Sequence, residues 1–102
     1  MIPPQDCRSM AELRAQIDAL DGDLVALLAE RARYIDRAAE LKPAEALPAR
    51  IGARIDEVIA RVRARAEAEG LDPELVERLW RELIEWSIAR EEVAMGQGEN
   101  KA

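Results

Sequence analysis

The chain has 102 residues, enough for one domain, and carries a net charge of −6. That acidity argues against broad contact with nucleic acid or an anionic membrane, whose binding rests on basic patches. Histidine is absent and Cys7 stands alone, which excludes imidazole-based triads, His-ligated metals, zinc clusters and an intrachain disulfide.

Aromatic residues make up 3% of the chain, with no Phe, so Leu, Ile, Val and Ala must build the interior. Ala, Glu, Arg and Leu dominate and favour helix throughout, and no run alternates with the period of a strand. The start, from Met1 to Asp6, has neither a basic region nor an apolar stretch, so no signal peptide is expected. No apolar run approaches ~18 residues, so no transmembrane helix is expected. A reduced, cytoplasmic setting is the simplest reading of a single cysteine.

In chain order, residues 1–8 form an arm that opens on Pro3-Pro4. Ser9 is a helix N-cap, and Glu12 three residues later completes a capping box. The first helix is predicted from Met10 to about Leu41, with Gly22 its weak point and Pro43 its stop. Its core-facing positions step by three and four: Met10, Leu13, Ile17, Leu20, Leu24, Leu27, Arg31, Tyr34, Ala38 and Leu41. Arg31 is the one full charge in that stripe. A guanidinium there requires an anion, either a carboxylate on a neighbouring helix or an anionic ligand.

A loop is expected over residues 43–48, then a second helix from about Ala49 to Glu69. Ile51, Ile55, Val58, Ile59 and Val62 share one face of it, and Gly70 is its C-cap. Asp72 caps the third helix and Pro73 takes its first position. Leu75, Leu79, Leu83 and Trp86 form its stripe, with Val76, Trp80 and Ile84 beside it. The domain thus spans residues 9–95, and residues 96–102 read as a disordered tail.

A first helix of about 32 residues would be ~48 Å long. A compact globule of this size has a radius of gyration near ~13 Å. Two shorter helices cannot cover such a rod, so a symmetric homodimer is expected to bury its seam. Arg31 and Lys42 lie about 20° past three full turns and ~16 Å apart, so they share a face and can bracket a small ligand. Arg14 lies ~25 Å from Arg31 and can enter such a site only from a partner chain. Arg54 lies near the stripe of the second helix, while Ser87 and Glu91 share a face with Ile84 and Ile88 on the third. Taken singly, each has a plainer reading: an interhelical salt bridge for Arg31, solvated surface for Arg14, Arg54 and Glu91, a helix-end charge for Lys42.

Jointly, they resemble the all-helical class of chorismate mutases and the related isochorismate-pyruvate lyases. The carriers are Leu13-Arg14, Ile17-Asp18, Leu20-Asp21, Leu27-Leu28, Arg31, Ala39, Leu41-Lys42, Pro48, Arg54, Gly70-Leu71-Asp72 and Leu83 to Ile88. The resemblance covers roughly residues 5–95. It implies an all-α fold of one long and two shorter helices, forming an intertwined homodimer with two shared sites and no cofactor or metal. It implies that Arg31 and the partner copy's equivalent of Arg14 hold the substrate carboxylates. Lys42 would donate to the ether oxygen of the breaking C–O bond, and Glu91, where the family commonly has Gln, would give a second donor. Ser87 would lie near the ring carboxylate, and Arg54 matches a basic position. Ile51 and Ile55 stand where mutases often carry acidic residues that bind the ring hydroxyl.

The implied activity is chorismate to prephenate, in aromatic amino acid biosynthesis. The alternatives are isochorismate-pyruvate lyase or, in another class, a non-catalytic helical dimerisation module. A carboxylate cannot donate a hydrogen bond but a carboxylic acid can. Glu91 as donor would therefore act protonated, with activity rising toward mildly acidic pH.

Overall fold

A computed structural model describes residues 1–96. The expected tail is outside these residues except for Gly96, which forms a turn with positive φ. Helix α1 spans Met10–Ala44, α2 Gly52–Glu69 and α3 Pro73–Ala94, preceded by a 3-10 turn at Pro4–Asp6. All regular structure among the described residues is helical. None of these helices is long and apolar enough to cross a membrane. The chain divides into two units, Met1–Arg33 and the residues from Tyr34 onward.

In the first unit, the start of α1 is capped as its sequence predicts. The Glu12 amide donates to Ser9 Oγ at 3.1 Å. The return bond of the capping box shifts by one residue: Glu12 Oε1 accepts from the Arg8 amide at 3.0 Å, not from that of Ser9. The arm is tied to the helix by the Ile2 amide, which donates to Gln16 Oε1 at 3.0 Å. Gly22 does not interrupt α1. The apolar stripe here is exposed in the single chain, with Leu20 at 49%, Leu24 at 57% and Leu27 at 61% of full accessibility.

The second unit begins with the last turns of α1. Helix α1 does not stop at Leu41 but passes through Pro43 to Ala44. A proline so close to a C-terminus removes one helical bond and leaves the final carbonyls available to the turn that follows. That turn is a Schellman closure: the Leu47 amide donates to the Lys42 carbonyl at 2.8 Å and the Ala46 amide to that of Pro43 at 3.1 Å. Ala46 occupies the left-handed position, φ 58°, usually held by glycine.

Ala39 is the buried residue of α1. Tyr34 and Leu41, expected in the inward stripe, are exposed. They lie about 140–160° around the helix from Ala39. The inner face of this part of α1 is therefore the one carrying Ile35, Asp36, Ala39 and Lys42, and the predicted stripe looks away from it.

Helix α2 begins three residues later than predicted, at Gly52, with Ile51 in extended backbone at its N-cap; residues 48–50 are irregular, and of them Ala49 is buried. Ala49 is buried with Ile59, Ile84 and Ile88, and Ile55, Val58, Trp80 and Met95 pack against them. Gly70 closes α2 in the left-handed region at φ 74°. Asp72 caps α3, its carboxylate accepting from the Glu74 amide at 2.9 Å. The buried face of α3 is Val76, Ile84, Ser87, Ile88 and Glu91. The expected stripe partly fails here: Leu79 and Trp86 are exposed, and Leu75 and Leu83 are half-buried. Val76 and Ile84 beside it are buried instead, Ile84 in one cluster with Ile59 of α2.

Candidate functional site

Lys42 ends on the inner face of α1 in its last turn, where its own carbonyl is held by the Leu47 amide. Its ammonium donates to Glu91 Oε1 at 2.6 Å and to the Ala49 carbonyl at 2.7 Å. The pair is shielded: the Lys42 side chain is 18% accessible and that of Glu91 5%. Glu91 lies one turn beyond Ser87 and Ile88 on α3, at the edge of the Ala49, Ile59, Ile84 and Ile88 core. A carboxylate withdrawn from water beside apolar side chains is tolerated because Lys42 meets it. An ammonium carries three N–H donors. Two are engaged, and among the described residues no group takes the third.

In the chain by itself Glu91 accepts from Lys42 and forms an ion pair with it. Its neighbours Arg90 and Glu92 made a surface position the plain reading. It is buried because the row Val76, Trp80, Ile84, Ile88 continues by helical steps to it. Ser87 is buried, and its hydroxyl donates to the Leu83 carbonyl at 2.8 Å. The second unit therefore brings Lys42 and Glu91 together and places Ser87 one turn from Glu91.

Arg54 is half-exposed and pairs with Glu57 on its own helix, which holds the Glu57 carboxyl below its usual range. Ile51 and Ile55 are half-buried at the start of α2. Arg14 and Arg31 belong to the first unit; Arg14 is exposed and Arg31 half-buried on α1.

Several pairs were not foreseen from the sequence, Arg63 with Glu74 and Glu77 among them, and two of them are forked. Arg90 grips Asp36 with two bonds, Nε to Oδ1 at 2.6 Å and Nη2 to Oδ2 at 3.1 Å. Its guanidinium also lies 5.3 Å from the centre of the Trp86 ring. The Arg90 hydrogen bond holds the Asp36 carboxyl below the usual carboxylate range. Arg50 grips Glu85 in the same forked manner, at 2.9 and 2.6 Å. Asp36 sits 60° from Ala39 around α1, which was the available signal for the first pair. Nothing local marks the second.

A family model described as "Chorismate mutase type II" matches residues 13–92. The chain belongs to the chorismate mutase type II family. The matched span contains Arg14, Arg31, Lys42, Arg54, Ser87 and Glu91. "Isochorismate pyruvate lyase" of Pseudomonas aeruginosa is 39% identical over 95 residues, covering 89% of each chain. "T-protein" of Enterobacter agglomerans is 34% identical over 82 residues, 80% of this chain but 22% of that protein. "T-protein" of Haemophilus influenzae is 29% identical over 83 residues, again 22% of its length.

For this chorismate mutase type II chain, the second unit offers a fixed ammonium in a largely dry, apolar surround. That arrangement suits charge stabilisation on an oxygen, since a pre-set donor in low dielectric needs no reorganisation.

Proposed function

We propose that the chain is a chorismate mutase, converting chorismate to prephenate in cytoplasmic aromatic amino acid biosynthesis. The shielded Lys42 ammonium, held by Glu91 and the Ala49 carbonyl, is the observation that carries this reading. The reaction is a unimolecular pericyclic rearrangement that needs no nucleophile, metal or redox cofactor. Its demands are to fold an extended dicarboxylate and to stabilise negative charge growing on the ether oxygen. Lys42 gives its third N–H to that oxygen. Arg31 holds one carboxylate, since a guanidinium fits a carboxylate with two parallel bonds. Arg54 and Ser87 complete the polar lining, and Glu91 sets the ammonium.

The second carboxylate is held by Arg14 of another copy. On a continuous helix Arg14 and Arg31 are ~25 Å apart, too far to grip one small molecule from one chain. The exposed leucines at positions 20, 24 and 27 supply the apolar seam on which a second copy packs, and two-fold homodimers are the commonest oligomers.

Isochorismate-pyruvate lyase is the second reading. It is favoured by the 39% identity, over 89% of the chain, to a protein of that name, and by Ile51 and Ile55 at the start of α2. Purified chain supplied separately with chorismate and isochorismate decides between them. Prephenate from chorismate as the faster reaction supports the mutase. Salicylate plus pyruvate from isochorismate supports the lyase. Turnover of neither leaves a non-catalytic dimerisation module.

A further inference from the structure

The Ala49 carbonyl that accepts from Lys42 belongs to the peptide plane joining Ala49 to Arg50. Rotation of that plane would swing the oxygen away from the ammonium. Segment 48–50 lies outside both α1 and α2, so no helical hydrogen bond sets its orientation. Two contacts do. The Ala49 side chain is buried, 3% accessible, against Ile59, Ile84 and Ile88. The Arg50 side chain, on the other end of the same plane, forks onto Glu85 of α3.

We infer that Arg50 and Glu85 are positioning residues: their forked pair fixes the Ala49–Arg50 peptide so that its carbonyl, with Glu91, aims the Lys42 ammonium. Both side chains are about half exposed, at 51% and 58%. Exposed ion pairs contribute little to stability, although a forked arginine–carboxylate geometry confers direction. The role of the pair is therefore orientation, and its loss is expected to leave helix content and melting temperature nearly unchanged. The pair stays ionised around neutrality, because the Arg50 hydrogen bond holds the Glu85 carboxyl below its usual range. Nothing in the local sequence suggests this role, since Arg50 and Glu85 are 35 residues apart.

The lysines of the chain are Lys42 and Lys101. The ammonium of Lys42 can therefore be followed by ¹⁵Nζ NMR of lysine-labelled protein, with K42R assigning the signal. This readout does not depend on the proposed reaction. In R50A and in E85Q, proton exchange at the Lys42 ammonium is expected to quicken by about tenfold, as a locally opened site does. R50K, which keeps the charge and loses the fork, is expected to fall between wild type and R50A. The swap R50E with E85R is expected to restore slow exchange.

If the proposed reaction is correct, kcat falls by about tenfold in R50A while KM stays within about twofold, as misalignment of a donor requires. The swap recovers kcat. Unchanged exchange in both R50A and E85Q, or a swap that does not restore it, overturns the positioning role. If wild type turns over neither chorismate nor isochorismate, the reaction assignment fails while the exchange measurement still decides this inference.

Discussion

Replacing Lys42 with alanine is expected to lower kcat/KM by at least ~10²-fold, the usual loss for one pre-set oxyanion donor. The same change leaves Glu91 buried without its cation and the Ala49 carbonyl without its donor. Breaking a buried ion pair by removing one partner costs about 3–5 kcal/mol of stability. Activity and stability would therefore fall together in the single variant, and urea denaturation alone could not tell a catalytic lysine from a structural one. The pair variant separates the two. Lys42→Met with Glu91→Leu replaces the ion pair by apolar groups of similar volume, and such replacements are often neutral or stabilising. Its midpoint in urea is expected well above that of Lys42→Ala, since only the Ala49 carbonyl is left unpaired, with turnover still absent. Recovered turnover in the pair variant would sink the donor role of Lys42.

Glu91→Gln belongs to the same series with the opposite sign. An amide both accepts and donates, and it leaves the charge of Lys42 unneutralised. Turnover above pH 7 is expected to rise by about tenfold, a gain of ~1.4 kcal/mol in transition-state stabilisation. A rate equal to or below wild type would show that the carboxylate is needed as it stands.

Mixing two inactive proteins is expected to restore activity. One is Arg14→Ala, the other the Lys42→Met, Glu91→Leu pair variant. In a dimer whose sites each borrow Arg14 from the opposite copy, a mixed dimer holds one site with both lesions and one with neither. Random association after co-refolding makes half the dimers mixed, so activity should reach about one quarter of wild type. If each site belongs to one chain, every site carries its own lesion and the mixture stays as inactive as its components. Steady-state assays before and after co-refolding, with sedimentation to confirm a dimer, read the result. A monomer at assay concentration would remove the shared-site reading altogether.

Much of the fold was legible because the signals are local. Ser9 and Glu12, Gly70, and Asp72-Pro73 act on the backbone within four residues, and each marks a helix end in the structure. The exceptions are also local in cause. Pro43 did not end α1 at Leu41, since a proline in the final turn forfeits one bond and the amides of the Schellman turn donate to the remaining carbonyls. Residues 49–51 have helix-permitting composition, but Ala49 is buried in a bend, Ile51 is extended, and α2 starts only at Gly52.

The candidate site was legible as a set of residues and not as an arrangement. Helical spacing placed Lys42 on one face of α1 and grouped Ser87 with Glu91 on α3. It did not show that the inner face of α1 is that of Ala39, or that Glu91 is buried. The stripe of large apolar residues is the stronger pattern, and in the single chain it points outward, with Tyr34 at 71% accessibility. Periodicity finds an apolar face without saying whether its partner is the same chain or another.

The sequence alone determined helix content, most helix ends, an excess apolar seam and the residue types suited to an anionic substrate, all consequences of composition and short-range spacing. Only the tertiary structure decided which charges meet. Lys42 with Glu91, Arg50 with Glu85 and Asp36 with Arg90 are separated by 49, 35 and 54 residues. A chain this rich in Arg, Glu and Asp offers many pairings of equal local merit. The choice among them follows from the reversal at Ala46 and the packing of α2 on α3, which set the last turns of α1 against the end of α3.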